Sequence, residues 1–133
     1  MANLTVTNLD IGSVVLEGGK FDDNLLTFAG ADTFVSGTIL ALDSVSLKWV
    51  IFVKGGVANE NGIPKAVLTQ DITATGAGDV ATRALIAGSV RKQRLVIDAD
   101  GDDSNIDKAV IGQLQDYSII AISVEELNIL DNQ

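Results

Sequence analysis

Between residues 26 and 56 the chain reads LTFAGADTFVSGTILALDSVSLKWVIFVKGG. Two strand-forming runs, 34–42 and 46–54, flank the polar turn Leu42-Asp43-Ser44-Val45. In the first, Phe34, Ser36, Thr38, Leu40 and Leu42 alternate with Val35, Gly37, Ile39 and Ala41. In the second, Lys48, Val50, Phe52 and Lys54 alternate with Leu47, Trp49, Ile51 and Val53. Both sets in each run carry apolar residues, so both faces of the predicted hairpin should meet protein. The cover is either a second layer of the same chain or a neighbouring chain.

On either side the pattern predicts more short strands. Residues 11–16 form a β candidate, Glu17-Gly18-Gly19-Lys20 a turn, and 25–28 a further strand after the polar break Phe21-Asp22-Asp23-Asn24. The loop 55–62 ends in an Asn-Gly turn signal, and residues 65–72 extend again after Pro64. With no GxGxxG, no GxxxxGK[ST] and no helix following, that glycine-rich loop is a connection and not a phosphate cradle. Residues 73–79 read as a small-residue linker. Two strand pieces follow, 84–90 and 95–97, around the basic tetrad Arg91-Lys92-Gln93-Arg94. One basic cluster without interleaved aromatics, in an acidic chain, reads as a charged surface turn; an acidic partner surface is the alternative.

A single helix is predicted from Asn105 to Tyr117. Ile106, Val110, Leu114 and Tyr117 fall on one stripe, and Asp103 or Ser104 is placed to cap it. Residues 118–124 follow as a buried strand. The acidic run 98–103 imitates a calcium loop without completing it. Counting from Asp98, Asp100 and Asp102 take positions 3 and 5, but Asp103 stands where the turn glycine belongs and Ala109 where the bidentate glutamate belongs. Asp22 and Asp23, as neighbours on extended chain, point to opposite faces and read as solvated.

The 133 residues suit one domain: residues 1–20 as an N-terminal arm and first strand, and 21–133 as the globular part. The expected fold class is α+β, β-dominated, with small antiparallel strands, hairpins and one helix. Cysteine and histidine are both absent, which removes disulfides, thiolate sites, the commonest general base and the usual zinc ligand. The net charge of −9 disfavours both a phosphate backbone and an anionic membrane surface as partner. The N-terminus lacks the basic head and apolar core of a signal peptide, so a soluble chain made without one is expected. Hydrophobic residues make up 47%, with only one Trp, one Tyr and four Phe, so the surplus is aliphatic. It fills either a tight core or contacts between identical subunits.

The order and texture of FDDNLLTFAGADTFVSGTILA (21–41), WVIFVKGG (49–56), PKAVLTQDI (64–72), ALIAGSVRKQRLVI (84–97) and the helix and strand of 105–123 resemble the head decoration (cement) proteins of lambda-like tailed bacteriophages. The resemblance implies a trimer-forming, β-dominated fold and a non-enzymatic structural role without cofactors or metals. A homotrimer would bind the outer surface of the expanded capsid at three-fold and quasi-three-fold sites, contact the major capsid protein, and hold the head against genome pressure. It implies a virion location after synthesis in the bacterial cytoplasm, with no direct nucleic-acid or membrane contact. By position in the chain, it makes Ala2, Asn3, Leu4, Thr5, Val6, Thr7, Asn8, Leu9 and Asp10 the shell contact. Their alternation fits an arm joining a partner's sheet, or an ordinary edge strand. Competing readings are a tail-tube or fibre-associated β domain, and a small-ligand or sugar-binding β domain.

Overall fold

A computed structural model describes residues 14–123. Its elements are β1 (Val15–Phe28), β2 (Asp32–Phe34), β3 (Ile39–Leu42), β4 (Trp49–Ile51), β5 (Pro64–Leu68), β6 (Ile72–Ala74), β7 (Gly78–Arg91), α1 (Lys108–Gln115) and β8 (Ile119–Ile122). The fold is α+β and β-dominated, as expected. Strands run in the order β1-β4-β3-β5-β7, and β7 pairs back with β1, closing a five-stranded ring. β8 extends the sheet beside β7, while β2 and β6 form a separate two-stranded ribbon.

The central hairpin exists, shorter than the alternation suggested. β3 and β4 pair through Leu40↔Ile51, Ala41↔Val50 and Leu42↔Trp49, whereas Phe34 belongs to the ribbon and faces Ile72. The sheet is mixed and not purely antiparallel: β1 meets β4 in parallel at Leu26↔Trp49, and β8 runs parallel to β7. Two strands are long, and the expected turn at 17–20 lies inside one of them. β1 continues through it with register shifts against β7 between Val15 and Phe21. The reason is a bulge. Gly18 takes φ +67°, and opposite it Gly88 takes φ +128°, where a Cβ would stand 2.9 Å from the Gly18 carbonyl oxygen. The glycines signal a departure from the pleat, and a bulge against a glycine partner satisfies that as well as a reversal does. The ends of the linker 73–79 are likewise absorbed, into β6 and the start of β7, and the strand piece 84–90 is the rest of β7.

Around the central hairpin both faces of the sheet are buried, by this chain itself. Inside the ring, Leu26, Phe28, Leu40, Trp49, Ala66, Leu68 and Ala84 come from all five strands, and Phe34 and Ile72 of the ribbon join them. Phe28 and Phe34 stack with centroids 4.5 Å apart. On the outer face Ile39, Val67, Leu85 and Val90 pack under Leu95, Ile97, Ile106, Val110, Leu114 and Ile119. Consecutive residues thus serve opposite cores: Ile39 and Leu40, Val67 and Leu68, Leu85 and Ala84. That is why the runs look continuously apolar, and why much of the aliphatic surplus needs no neighbouring chain. Each fully buried large side chain contributes roughly 1.5–3 kcal/mol.

The helix is shorter than the stripe predicted, and its cap is Asp107, not Asp103 or Ser104. The Asp107 carboxylate accepts from Val110 N at 3.0 Å and pairs with Lys54 Nζ at 2.8 Å. Ile106, Val110 and Leu114 are buried as expected, but Tyr117 lies past the helix end, 40% exposed. The strand after it is half-buried: Ile119 is inside, whereas Ile120 and Ile122 face outward. Among the described residues no helix is long and apolar enough to cross a membrane.

Candidate docking surface: a rigid apolar tip beside a cleft

Asp43 organises the turn between β3 and β4. Its carboxylate accepts from Val45 N at 2.8 Å and Ser46 N at 2.9 Å, and its backbone N–H donates to Lys48 O at 2.9 Å. Leu47 then closes the turn, donating its N–H to Asp43 O at 2.9 Å while its own carbonyl accepts from Asn24 Nδ2 at 3.0 Å. These bonds hold Leu47 at φ +61°, the left-handed region where a leucine is uncommon. The neighbouring loop, with its single 3₁₀ turn Ala58–Glu60, is tied on through Ser44 N to Asn59 O at 3.1 Å. Asn59 and Glu60 also have positive φ, +49° and +64°. Below the tip, Lys48 Nζ meets Asp79 at 2.6 Å and anchors the turn to the start of β7.

This double loop carries the most exposed large hydrophobic residues of the described chain: Val45 (76%), Leu47 (62%) and Val57 (93%). Three of the four non-glycine residues with positive φ occupy the same tip. Unfavourable backbone and exposed aliphatic surface coincide, and such strain concentrates where a contact is made. Sequence reasoning placed Leu47 on the Trp49 side of a strand. The signal available was an aliphatic pair, Val45 and Leu47, among turn residues, which strand alternation absorbs too easily.

Beside the tip opens a cleft of about 420 Å³, to which every ring strand contributes: Asp22 and Asn24 from β1, Leu42 from β3, Trp49 from β4, Lys65 from β5 and Ile86 from β7. Leu47 and Tyr117 complete its wall. Lys65 Nζ stands 5.1 Å from the Tyr117 ring centroid, a cation–π contact. Tyr117 therefore lines a surface and is not core. Trp49 is only 3% exposed and offers no open platform for a sugar ring to stack on, which weakens the sugar-binding alternative.

The other sequence candidates disperse. Ala2 to Asp10 lie outside the described residues. Asp22 borders the cleft, while Asp23 sits 3.8 Å from Arg83 on the exposed β1–β7 face. In the acidic run, Asp102 caps Ser104 N at 2.9 Å, and Asp103 lies 3.9 Å from Lys92. Asp98 instead borders a second cleft of about 400 Å³ with Asp32, Phe34 and Ile51. Desolvation there, then the Asp32 charge, raises its pKa. Among the described residues, no group of three or more acids could hold a metal ion.

Four surface carboxylates titrate the other way. The Ser46 and Val45 N–H groups lower the pKa of Asp43. Hydrogen bonds from Lys48 and Thr27 lower that of Asp79, the Ser104 hydroxyl and N–H lower that of Asp102, and Lys54 with Val110 N lowers that of Asp107. A depressed folded pKa stabilises the fold fully above the unfolded value of 3.8, and the benefit disappears as pH falls through the lowered values. Asp98 opposes this, its contribution being present below 3.8 and lost as pH rises through its raised folded value. With four groups against one, the urea midpoint is expected to hold from pH 7 down to about 5 and to drop below 3.8. In Asp79→Asn that acid-side drop should shrink.

No protein-family model matches the chain, and no curated protein matches it significantly.

Proposed function

We propose that the chain is a structural virion protein that binds the outer surface of an expanded phage capsid as a homotrimer and stabilises the head. The observation that carries this reading is the tip: aliphatic side chains held outward by a network of hydrogen bonds on a closed β ring. A rigid apolar projection suits clamping between proteins, because little conformational entropy remains to be lost when it is covered. Its partners in this reading are sibling subunits and the major capsid protein, with no part for nucleic acid, membrane or cofactor.

The placement of the described ends supports the arm assignment. Val14 O accepts from Arg91 N at 2.7 Å, and Ser123 Oγ accepts from Gln93 Nε2 at 2.9 Å. Both described ends therefore lie beside the last residues of β7, whereas the tip is anchored at its beginning through Asp79. Val14 stands at the pole opposite the tip, and in this reading residues 2–10, which precede it in the chain, supply the shell contact. Many copies, each with modest affinity, gain from multivalent attachment once trimeric.

The test is co-sedimentation of the purified chain with expanded, undecorated heads and with unexpanded proheads from the same genome. Binding to expanded heads alone is expected, and deletion of residues 2–10 should weaken it about tenfold or more. Failure to bind expanded heads refutes the reading. Rings or fibres of the pure protein under the electron microscope would instead favour a tail or fibre part.

A further inference from the structure

The tip and the cleft are of complementary character, one convex and one concave, both largely apolar, and they adjoin at Leu47. The charges at their margins also match. Glu60 follows Val57 and Asn59 on the exposed tip loop, and Lys65 stands on the cleft wall. Among the described residues neither enters an ion pair. We propose that the tip of one copy seats in the cleft of a second copy. Val45, Leu47 and Val57 cover the apolar wall formed by Ile86 and Tyr117, and Glu60 meets Lys65 across the boundary. This rests on the homotrimeric reading above and supplies the contact that holds the trimer: three copies gather about one axis, each tip against the next cleft.

Lys65 on the cleft wall offers an opposite charge to Glu60 on the tip of a second copy. The tip's own polar neighbours are Ser44, Ser46 and Asn59, Asp43 is occupied as a turn cap, and Lys48 is neutralised by Asp79. The charges left in the contact zone are Asp43 and Glu60 on the tip and Asp22 and Lys65 on the cleft wall. The net charge of −9 elsewhere is screened over about 8 Å at physiological salt.

Leu47 provides a test that separates an interface role from a structural one. Asparagine tolerates the left-handed region better than leucine, so Leu47→Asn relieves backbone strain while removing the apolar contact. Its thermal midpoint should hold or rise while its self-association, read by sedimentation velocity of the full chain, weakens about tenfold or more. Val57→Asp, at a fully solvated site, should weaken association similarly without changing the fold. Glu60→Lys and Lys65→Glu should each weaken it, and the double exchange in one chain should restore it.

A trimer weakened by these changes and rescued by the double exchange supports the contact. A trimer indifferent to Leu47→Asn and Val57→Asp overturns it and leaves the homotrimeric reading intact. A dimer with the same sensitivities keeps the contact and refutes the trimer. A chain monomeric at every concentration refutes both.

Discussion

Gly37→Ala is expected to destabilise the protein by about 3 kcal/mol or more. Gly37 has φ +95°, where a Cβ is strained whatever the space around it, and a Cβ there would run into the Arg94 carbonyl oxygen. The backbone cannot swing aside. Gly37 N donates to Leu68 O at 2.8 Å, and Gly37 O accepts from Val96 N at 2.8 Å, so the residue is stitched between β5 and the segment after β7. Any movement that relieves the clash breaks one of those bonds or lifts Leu95 from the outer core. The cost combines roughly 1–3 kcal/mol for the backbone conformation with a similar overpacking term. Urea denaturation should show a lower midpoint with an unchanged slope. Gly30→Ala is the matched control: nothing lies within 4 Å of the place its methyl group would take, and its φ is ordinary, so a change within about 0.5 kcal/mol is expected.

Trp49→Ala is expected to cost about 3–5 kcal/mol, a large part of the roughly 5–15 kcal/mol available to a typical domain. Trp49 is the residue through which β4 faces Leu26 of β1 and Leu42 of β3 together. Its indole fills the ring core with Leu26, Phe28 and Leu40. The β1–β4 seam has a single register pair, and removing its side chain opens the ring at the weakest joint. Amide exchange should rise first in β4 and β3 and leave α1 and β7 protected, because the outer core is a separate cluster. Uniform loss of protection would show that the two cores unfold as one. Trp49→Phe, keeping much of the volume, should cost less.

The sequence made the strand-rich class, the central hairpin and the single helix readable, since each rests on local periodicity. Apolar alternation at 39–42 and 49–51, and the spacing of Ile106, Val110 and Leu114, survive intact in the fold. The closure of the ring was not readable. It depends on parallel contact between Leu26 and Trp49, residues far apart in the chain with no local sign of each other. The 14-residue strands were missed for a different reason. Glycines at 18, 19 and 88 signal a break in regular pleating, and only the facing strand decides between a bulge and a turn. The helix cap shifted from Asp103 to Asp107 because a carboxylate is also needed near Lys54, a partner 53 positions away.

The candidate surface was the least legible part. Leu47 obeys strand alternation by accident of spacing, while its left-handed backbone places it in the turn that Val45 also occupies. Tyr117 continued the helical stripe by one step beyond the point where the helix stops. The expected contact at residues 2–10 lies outside residues 14–123, and the tip and cleft form a different surface.

The pairing of β1 with β7 has a mechanical consequence. The two strands lie antiparallel over nearly their whole length, from Val15↔Val90 to Phe28↔Gly78. A pull on Val14 directed away from the tip loads this ladder along the strand axis. Its rungs then resist in shear, all together, and are not peeled apart one after another. Tension arriving through Val14 in that direction is therefore shared by many hydrogen bonds at once.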